Sequence, residues 1–289
     1  MNPVKEVVTI GMFDGVHTGH RKVLETAADC AREHGVKSLA ITFDHIPKNH
    51  YGALTTLGEK IKLIKEAGLD GVRVLPFERI KNMSAGLFCE KYIGKNRLAV
   101  LGYDFKFGKG RSGGIDMLKK YAAGVLVVKP VKLKNAVISS TLIKKLLVSG
   151  DLEKVNKYLG RNFGFSGSDV AGLGIGRKIG YPTLNIIVQP GKILPNGIFA
   201  AVTEIKKKRH ISAVYIGKRP TFGMAAPTVE THIIGRKKVQ AAPELAVELF
   251  SKIRDDIKFG SRAELASRIK ADIAAIGAYF DGTKTGINR

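Results

Sequence analysis

The sequence has few acidic residues, few cysteines and no long apolar run, and each of these features excludes some classes of protein. No segment approaches the roughly 20 consecutive apolar residues of a membrane-spanning helix. The N-terminus lacks the apolar core and the small-residue cleavage site of a secretory signal. We therefore expect a cytoplasmic protein without a membrane partner. Cys30 and Cys89 both lie in helix-like segments, which favours reduced core thiols over a disulfide or a metal pair.

The shortage of acidic residues leaves the chain strongly basic. It has 48 Lys and Arg against 25 Asp and Glu, a formal net charge of +23. Such an excess attracts anions, including nucleotides, nucleic acids and acidic lipids. The densest basic runs, at 206–210 and 236–238, lie beside strand-like segments, and solvated hairpin tips are the simplest interpretation. Aromatic residues do not alternate with these charges, which does not favour a nucleic-acid surface, although the charge does not exclude one.

The first half of the chain alternates between apolar strands and helical patterns. The predicted strands are 7–13, 38–43, 71–77, 97–103 and 124–131. The helical patterns between them are 18–34, 56–67, 85–93 and 114–123. This alternation predicts an α/β domain with a doubly wound parallel sheet and helices on both faces. Ligands of such a sheet bind beyond the carboxyl ends of its strands.

After a helical stretch at 139–160, the second half becomes rich in strands. The predicted strands follow one another without helices, at 183–188, 198–205, 211–216, 229–234 and 245–250. This pattern is typical of an antiparallel β-barrel or a compact sheet. A last helix is predicted after the capping-box spacing of 261–264. We therefore expect two domains, an α/β domain over residues 1–159 and a barrel with a C-terminal helix over residues 160–289.

A glycine-rich turn with two histidines, GMFDGVHTGH at residues 11–20, follows the first strand. Gly15 and Gly19 let the backbone approach a ligand, and the next helix directs its free N–H groups there. His17 and His20 are three residues apart and share one helix face. The pattern favours a triphosphate, whose developing charge two imidazoles can stabilise. Two alternatives stay open: histidines that only cap or fill the core, and a zinc pair, although no further ligand is suitably spaced nearby.

The same ten residues resemble the G-x-F-D-G-x-H-x-G-H signature of nucleotidyltransferases. The particular resemblance is to the bacterial bifunctional riboflavin kinase/FMN adenylyltransferase, or FAD synthetase, family. Three other stretches are similar to that family in order and spacing: LTTLGEK at 54–60, GYDFKFG at 102–108 and ISSTLIK at 138–144. The resemblance implies that the first domain transfers AMP from ATP to FMN, giving FAD and pyrophosphate.

The resemblance also implies residue roles in the first domain. His17 and His20 would stabilise the α-phosphate as it is attacked, and Asp104 would bind the flavin. The implied nucleotide-binding residues are Gly11, Phe13, Asp14, Gly15, Gly19, Ser139, Ser140, Thr141 and Lys144.

Two positions depart from the family's pattern in this domain. Lys144 stands where the family has arginine, which keeps the charge but loses the bidentate geometry. The family reads T-F-E/D-P-H-P after the second strand, whereas this chain has Ile46 at the histidine position and His45 one place earlier. That loop helps to hold the flavin in relatives. One alternative is therefore a kinase-only enzyme with a drifted first domain, and another is a basic nucleic-acid-binding or regulatory protein that retains the fold.

A second glycine-rich segment, GLGIGRKIGYPTLN at 172–185, begins the strand-rich half. It lacks the Gly-Lys-Ser/Thr of a Walker A loop and could by itself be an ordinary connection. It resembles, however, the riboflavin kinase motif G-x-x-x-G-[FY]-P-T-x-N, whose Thr and Asn hold Mg-ATP. Thr183 and Asn185 are two apart and would face one way on a strand, and their oxygens suit Mg²⁺. The nucleotide-binding residues implied here are Gly172, Gly176, Lys178, Gly180 and Pro182.

A glutamate completes the predicted site of the second domain. VETH at 229–232 resembles the V-E-T/V-H of riboflavin kinases, whose Glu is the general base for the ribityl hydroxyl. Alone, Glu230 would be interpreted as a surface strand residue. Its place after IGKRPTF at 216–222, similar to the family's I-G-x-R-P-T-F, favours the catalytic role and implies that Arg219 binds flavin. The second domain would then phosphorylate riboflavin with Mg-ATP to give FMN, and self-association stays open.

Overall fold

The computed structural model describes residues 3–45, 52–133, 136–171, 174–218, 227–236 and 243–282. The chain forms two compact units, Met1–Leu142 and Ile143–Arg289. Ile46, Gly172 and Arg219, which the sequence singles out, lie outside the described residues. Among the described helices, none combines the length and apolar character needed to cross a membrane.

A five-stranded parallel sheet forms the centre of the first unit. Its strands are β1 (Glu6–Ile10), β2 (Lys37–Phe43), β3 (Gly71–Leu75), β4 (Arg97–Gly102) and β5 (Gly124–Val128). They lie in the order β3-β2-β1-β4-β5, so that β1 is the middle strand. Val8 of β1 pairs with Leu39 of β2 and with Ala99 of β4. The predicted parallel sheet is confirmed, and the turn that follows β1 lies at the middle of its carboxyl edge.

Helices cover both faces of this sheet. They are α1 (Thr18–Glu33), α2 (Leu57–Glu66), α3 (Phe77–Ile80), α4 (Ala85–Tyr92) and α5 (Ile115–Leu118). One core contains Leu24 of α1 and Ile64 of α2, and the other contains Phe88 of α4. The predicted helix at 114–123 is reduced to the single turn α5. Within that turn only Leu118 is buried. The amide of Tyr121 donates to the carbonyl of Leu118, three residues back, so that the chain leaves the α-helical hydrogen-bond pattern there.

Two short strands and two helices come next in the sequence. They are β6 (Lys132–Leu133), β7 (Ala136–Val137), α6 (Ser140–Ser149) and α7 (Leu152–Leu159). The helical prediction for this stretch is confirmed, with a break at Gly150, whose φ of 83° is left-handed. The β6–β7 hairpin is not predicted by the sequence pattern.

Six strands of the second unit close into a barrel. They are β8 (Phe163–Val170), β9 (Leu184–Val188), β10 (Gly197–Ile205), β11 (Lys208–Lys218), β12 (Pro227–Ile233) and β13 (Leu245–Arg254). Their cyclic order is β10-β11-β12-β9-β8-β13, and all neighbours are antiparallel. A short helix, α8 (Ile175–Lys178), precedes β9, and the predicted long helix, α9 (Arg262–Asp281), begins after the capping residue Ser261. The predicted barrel with a C-terminal helix is confirmed.

The strand β8 is missed by the sequence pattern because two glycines interrupt it. A Cβ atom on Gly164 would lie 2.6 Å from the carbonyl oxygen of Val247, and one on Gly167 would lie 2.3 Å from that of Ile187. The neighbouring strands β13 and β9 therefore approach β8 closely at positions where only glycine fits. The glycines that weaken the strand pattern are the ones that this barrel needs.

The first basic run forms a hairpin tip, as predicted. Lys206 and Lys207 connect β10 to β11, and both are exposed. Their φ angles are 50° and 65°, so that both adopt the left-handed conformation of a two-residue hairpin loop. Such loops usually contain Asn and Gly. Because lysines stand there instead, the sequence shows a charge cluster but not the usual hairpin-turn signal.

Candidate active sites

The turn between β1 and α1 has an unusual backbone. Phe13 and Val16 adopt φ angles of 47° and 38°, and Gly15 between them has 79°. A left-handed conformation at a non-glycine residue costs about 1–3 kcal/mol and persists only where the surroundings enforce it. A Cβ atom on Gly11 would also lie 2.9 Å from the ring of Phe13, so that glycine is required there. Strain of this kind at the carboxyl edge of a parallel sheet indicates a functional turn.

Several hydrogen bonds hold this turn in place. The Oδ1 atom of the buried Asp14 accepts from the amide of Leu54 at 2.8 Å. The amide of Gly15 donates to Oγ1 of Thr55 at 3.1 Å, and the hydroxyl of Ser140 donates to the carbonyl of Asp14 at 2.8 Å. The segments LTTLGEK and ISSTLIK, distant in sequence, therefore both contact the GMFDGVHTGH turn.

The two histidines of the turn stack on each other. Their ring centroids lie 3.6 Å apart with an interplanar angle of 18°. His17 is the N-cap of α1, and its Nδ1 atom accepts from the amide of His20 at 3.2 Å. The Nδ1 atom of His20 is buried and, among the described residues, has no hydrogen-bond partner. Burial, and then the nearby His17 and Lys60, lower the pKa of His20, so that its imidazole is neutral at pH 7.

The capping interpretation therefore applies to His17, but it does not account for His20. His20 faces a ring on either side, with Phe13 edge-on at 5.5 Å and His17 stacked. The predicted shared face of the two histidines is confirmed. Gly19 permits this arrangement, because a Cβ atom there would lie 3.1 Å from the ring of His17.

The start of α6 contains the predicted nucleotide-binding residues of the ISSTLIK segment. The Oγ atom of Ser139 accepts from the amide of Leu142 at 3.3 Å, and Thr141 is exposed. The carbonyl of Ile138 comes within 3.8 Å of the position that a Cβ atom on Gly19 would occupy. Lys144 is buried and belongs to the second compact unit. Its predicted role in nucleotide binding stays a prediction.

A cleft of about 490 Å³ opens beside the turn. Of the residues predicted from the sequence, four line it: Gly11, Phe13, His20 and Asp104. Aromatic rings form much of the remaining wall, namely Phe43, Phe77, Phe88, Phe105 and Phe107. Three cations complete it, Lys81, Lys106 and Arg111. An aromatic wall with cations is suited to a flat aromatic ligand that carries phosphate.

In the barrel, the predicted metal ligands and the predicted base lie together: Thr183 directly precedes β9, Asn185 lies on β9 and Glu230 lies on β12. The hydroxyl of Thr183 donates to Oε2 of Glu230 at 3.3 Å. Asn185 and Glu230 are directly paired across the two antiparallel strands, which puts their side chains on one face. The amide of Asn185 is held by Oδ1 of Asp169 at 3.1 Å.

A cavity of about 300 Å³ adjoins this group, and Gly176, Thr183 and Glu230 are among its lining residues. A Cβ atom on Gly176 would lie 2.3 Å from the carbonyl oxygen of Tyr181, so that this position requires glycine. The predicted glycine loop thus folds back on itself around α8. Gly180 and Lys178 are exposed, and the carbonyl of Pro182 lies 2.8 Å from Nδ1 of His232, whose ring also lines the cavity.

Known proteins match the chain in two parts and as a whole. The FAD synthetase family matches residues 1–142, and the riboflavin kinase family matches residues 159–280. The bifunctional riboflavin kinase/FMN adenylyltransferase of Buchnera aphidicola subsp. Schizaphis graminum is 32% identical over 95% of this chain and 94% of its own length. The protein of the same name from Bacillus subtilis is 30% identical over 97% of this chain and 94% of its own.

This chain belongs to the bifunctional riboflavin kinase/FMN adenylyltransferase family. A crystal structure described as the macrolide-efflux protein from Streptococcus pneumoniae shares the fold, with a TM-score of 0.85, 27% identity, and coverage of 96% of this chain and 95% of that one.

Membership makes the chain an enzyme with two activities, riboflavin kinase and FMN adenylyltransferase, with ATP as a substrate and FMN and FAD as products. The family, the fold class and the function predicted from the sequence are therefore confirmed. The kinase-only and nucleic-acid-binding alternatives are not favoured, because both parts of the family match in order along the chain.

Three cations of the first cleft were missed in the sequence. Lys106 and Arg111 follow the end of β4 in the stretch GYDFKFGKGR, where a basic residue beside aromatic ones at the carboxyl edge of a sheet is a usable signal. Lys81 follows α3 and has no such signal, since only the fold brings it to the cleft.

His45 stands one place before the position where the family has a histidine. Its Nδ1 atom lies 2.9 Å from Asp44 and its Nε2 atom lies 3.4 Å from Glu78, beside the cleft residue Phe77.

A buried ion pair lines the barrel cavity. Arg254 at the end of β13 donates to Asp272 of α9 through Nε and Nη2, at 2.9 and 2.8 Å. Their side chains are only 10% and 5% exposed. Arg268 lies 3.4 Å from the same carboxylate, and the guanidinium of Arg254 stands over the ring of Phe259. The pair therefore links α9 to the barrel wall beside Phe259, another lining residue.

Removal of this arginine is expected to destabilise the barrel strongly. Arg254→Met leaves the buried carboxylate of Asp272 with only the more distant Arg268, and the loss should approach about 3–5 kcal/mol. The exposed pair Arg209–Glu248, at 3.0 Å, is a matched control, and Arg209→Met should cost less than about 1 kcal/mol. Urea unfolding followed by hydrogen exchange of barrel peptides measures both. Equal losses for the two variants would contradict the assignment.

Proposed function

We propose that the barrel phosphorylates riboflavin to FMN and that the parallel-sheet unit converts this FMN to FAD, in the cytoplasm. The observation that supports this assignment is that His20 and Asp104, distant in sequence, line one cleft, and that Thr183 and Glu230, also distant in sequence, line another. Incubation with riboflavin, ATP and Mg²⁺, followed by chromatography, tests it. FMN should appear first and FAD afterwards, and FMN supplied directly should give FAD.

Glu230 acts as the general base of the kinase reaction in this proposal. It accepts the proton of the riboflavin 5′-hydroxyl as the hydroxyl oxygen bonds to the γ-phosphorus of ATP and the bond to ADP breaks. Thr183 lies within hydrogen-bond distance of this carboxylate and orients it. The cavity beside it is lined by Tyr215, Phe259 and Ile269, which suit the flavin ring.

Thr183 and Asn185 fit a magnesium ion. Their side chains offer hard oxygens on the face that also presents the carboxylate of Glu230, and Mg²⁺ binds with one or two protein oxygens together with substrate phosphates. When bound, the ion neutralises phosphate charge. The exposed Lys178 in the preceding loop adds a second positive charge for the nucleotide.

The turn after β1 carries adenylyl transfer in this proposal. A phosphate oxygen of FMN bonds to the α-phosphorus of ATP, and the bond from that phosphorus to pyrophosphate breaks. The aromatic wall of the cleft holds the flavin ring, while Lys81, Lys106 and Arg111 attract the phosphates. His20, neutral and partly buried at the cleft, donates a hydrogen bond as negative charge develops. His17 supports His20 by stacking and by capping α1.

The two activities are expected to separate at residue 160. We propose a first domain of residues 1–159 and a second of residues 160–289, because the first strand of the barrel begins at Phe163. The fragment 160–289 should phosphorylate riboflavin without making FAD, since every residue assigned to the kinase lies within it. Circular dichroism and an FMN assay measure this. An unfolded fragment would contradict the boundary, and a folded but inactive one would contradict the assignment.

A further inference from the structure

Lys60 on α2 occupies a place where a lysine is electrostatically unfavourable. Its residue exposure is 3%, and burial lowers its pKa to about 8, although Asp14 and Asp44 act in the opposite direction. It also lies in the first turn of a helix, where the helix dipole disfavours a cation. Neither condition suits a residue that only fills space, and violations of this kind concentrate at functional sites.

The ammonium group of Lys60 joins the two backbone segments that border the first cleft. It donates to the carbonyl of Phe43 at 2.7 Å and to that of Met12 at 3.3 Å. Met12 and Phe43 both line the cleft, whereas Lys60 stands behind them. Thr42 also donates to the carbonyl of Met12, at 3.3 Å. The next residue after Met12 is the strained Phe13, so that these bonds fix the peptide from which the turn departs.

The charge of Lys60 also acts on the histidine of the cleft. Lys60 contributes, after burial and His17, to the lowered pKa of His20. The titratable groups that influence the pKa values of these two side chains are Asp14 in the turn, Asp44 after β2 and His17 at the N-cap of α1. Lys60 therefore has two effects on the site: it holds the turn in its strained form, and it adds to the effects of burial and of His17 that lower the pKa of His20.

We propose that Lys60 is a positioning residue for adenylyl transfer, which holds the strained β1–α1 turn in place through its bonds to the carbonyls of Met12 and Phe43. The inference rests on the proposed assignment of FAD formation to the β1–α1 turn. It also predicts a pH effect. As Lys60 loses its proton near pH 8, its charge-assisted bonds to the two carbonyls weaken and FAD formation should fall, while riboflavin phosphorylation in the other unit should not follow it.

The test uses the full chain and measures the pH profiles of FMN formation and of FAD formation from supplied FMN. Lys60→Gln keeps hydrogen-bond donors without the charge. It should lower kcat for FAD formation by about 10–10²-fold, change KM for ATP little, and lose the decline near pH 8. Its acid limb should move to higher pH, because the pKa of His20 is no longer lowered by Lys60. Lys62→Gln, at an exposed position of the same helix, should behave as wild type.

Several outcomes separate the possibilities. Lys60→Gln with the FAD kinetics and pH profile of Lys62→Gln would overturn the inference. If the first unit of Lys60→Gln does not fold, Lys60→Arg decides: FAD formation retained above pH 8 supports the inference, and an unchanged decline overturns it.

His20→Ala is measured in parallel, because it tests the assignment of FAD formation to the turn. If that variant makes FAD normally, the assignment of the turn fails instead; if it does not, while the Lys60 variants do, only the role of Lys60 fails.

Discussion

Glu230→Gln is expected to lower FMN formation from riboflavin by about 10²–10⁴-fold, the usual loss when a general base is removed. The amide keeps the size of the side chain and can still accept from the hydroxyl of Thr183, which lies 3.3 Å from the carboxylate. Only the ability to take the proton of the ribityl hydroxyl is removed. The loss should therefore appear in kcat rather than in KM for ATP.

The same protein sample contains a control for the Glu230 variant. FAD formation from supplied FMN should be unchanged, because the histidines and the cations of the first cleft lie in the other compact unit. Glu204→Gln, at an exposed position of β10, should leave both reactions unchanged. Near-normal FMN formation by Glu230→Gln would remove Glu230 from the role of base.

His20→Ala is expected to lower FAD formation from FMN by about 10²–10³-fold, the usual loss for one donor that stabilises developing charge. ATP binding should change little, because the amides of the turn contact the ground state without the imidazole. Riboflavin phosphorylation should be intact. His34→Ala, an exposed histidine after the last turn of the same helix, is the matched control.

His17 needs a different substitution, because it also caps α1. His17→Ala loses the cap, which costs about 0.5–2 kcal/mol, together with the imidazole. His17→Asn keeps an acceptor for the amide of His20 and removes only the ring. Equal loss of FAD formation in both variants would assign the effect to the imidazole, and recovery in His17→Asn would assign it to the cap. If His20→Ala, His17→Ala and His17→Asn all form FAD at the wild-type rate, His17 and His20 have only a structural role.

The architecture could be predicted because its signals are local. Each strand of the parallel sheet is a short apolar run followed by a helical pattern, and the β1–α1 turn falls where that alternation places it. The failures also have local causes. In β8 the close approach of two neighbouring strands requires Gly164 and Gly167, and glycine conceals a strand. In α5 too few apolar residues are buried to hold more than one turn.

The candidate sites could be predicted only where one segment supplies them. His17 and His20 lie in one turn, and Thr183 and Asn185 lie in one strand region, so that spacing alone groups them. Lys60 could not be distinguished from the exposed Lys62 in the sequence KIKLIK, because burial behind Met12 and Phe43 depends on the packing of three segments. The same reason explains why Lys81 was missed.

The closed barrel has a consequence for synthesis of the chain on the ribosome. Its first strand, β8, hydrogen-bonds to its last, β13, and β13 also pairs with β10. The barrel therefore cannot close until residue 254 has emerged, whereas the parallel sheet is complete once β5 ends at Val128. Until then β8 and β10 expose unpaired edges, which are the usual starting points of aggregation. We therefore expect the nascent second unit to expose strand edges until its last strand is made, and closure of the barrel removes those edges.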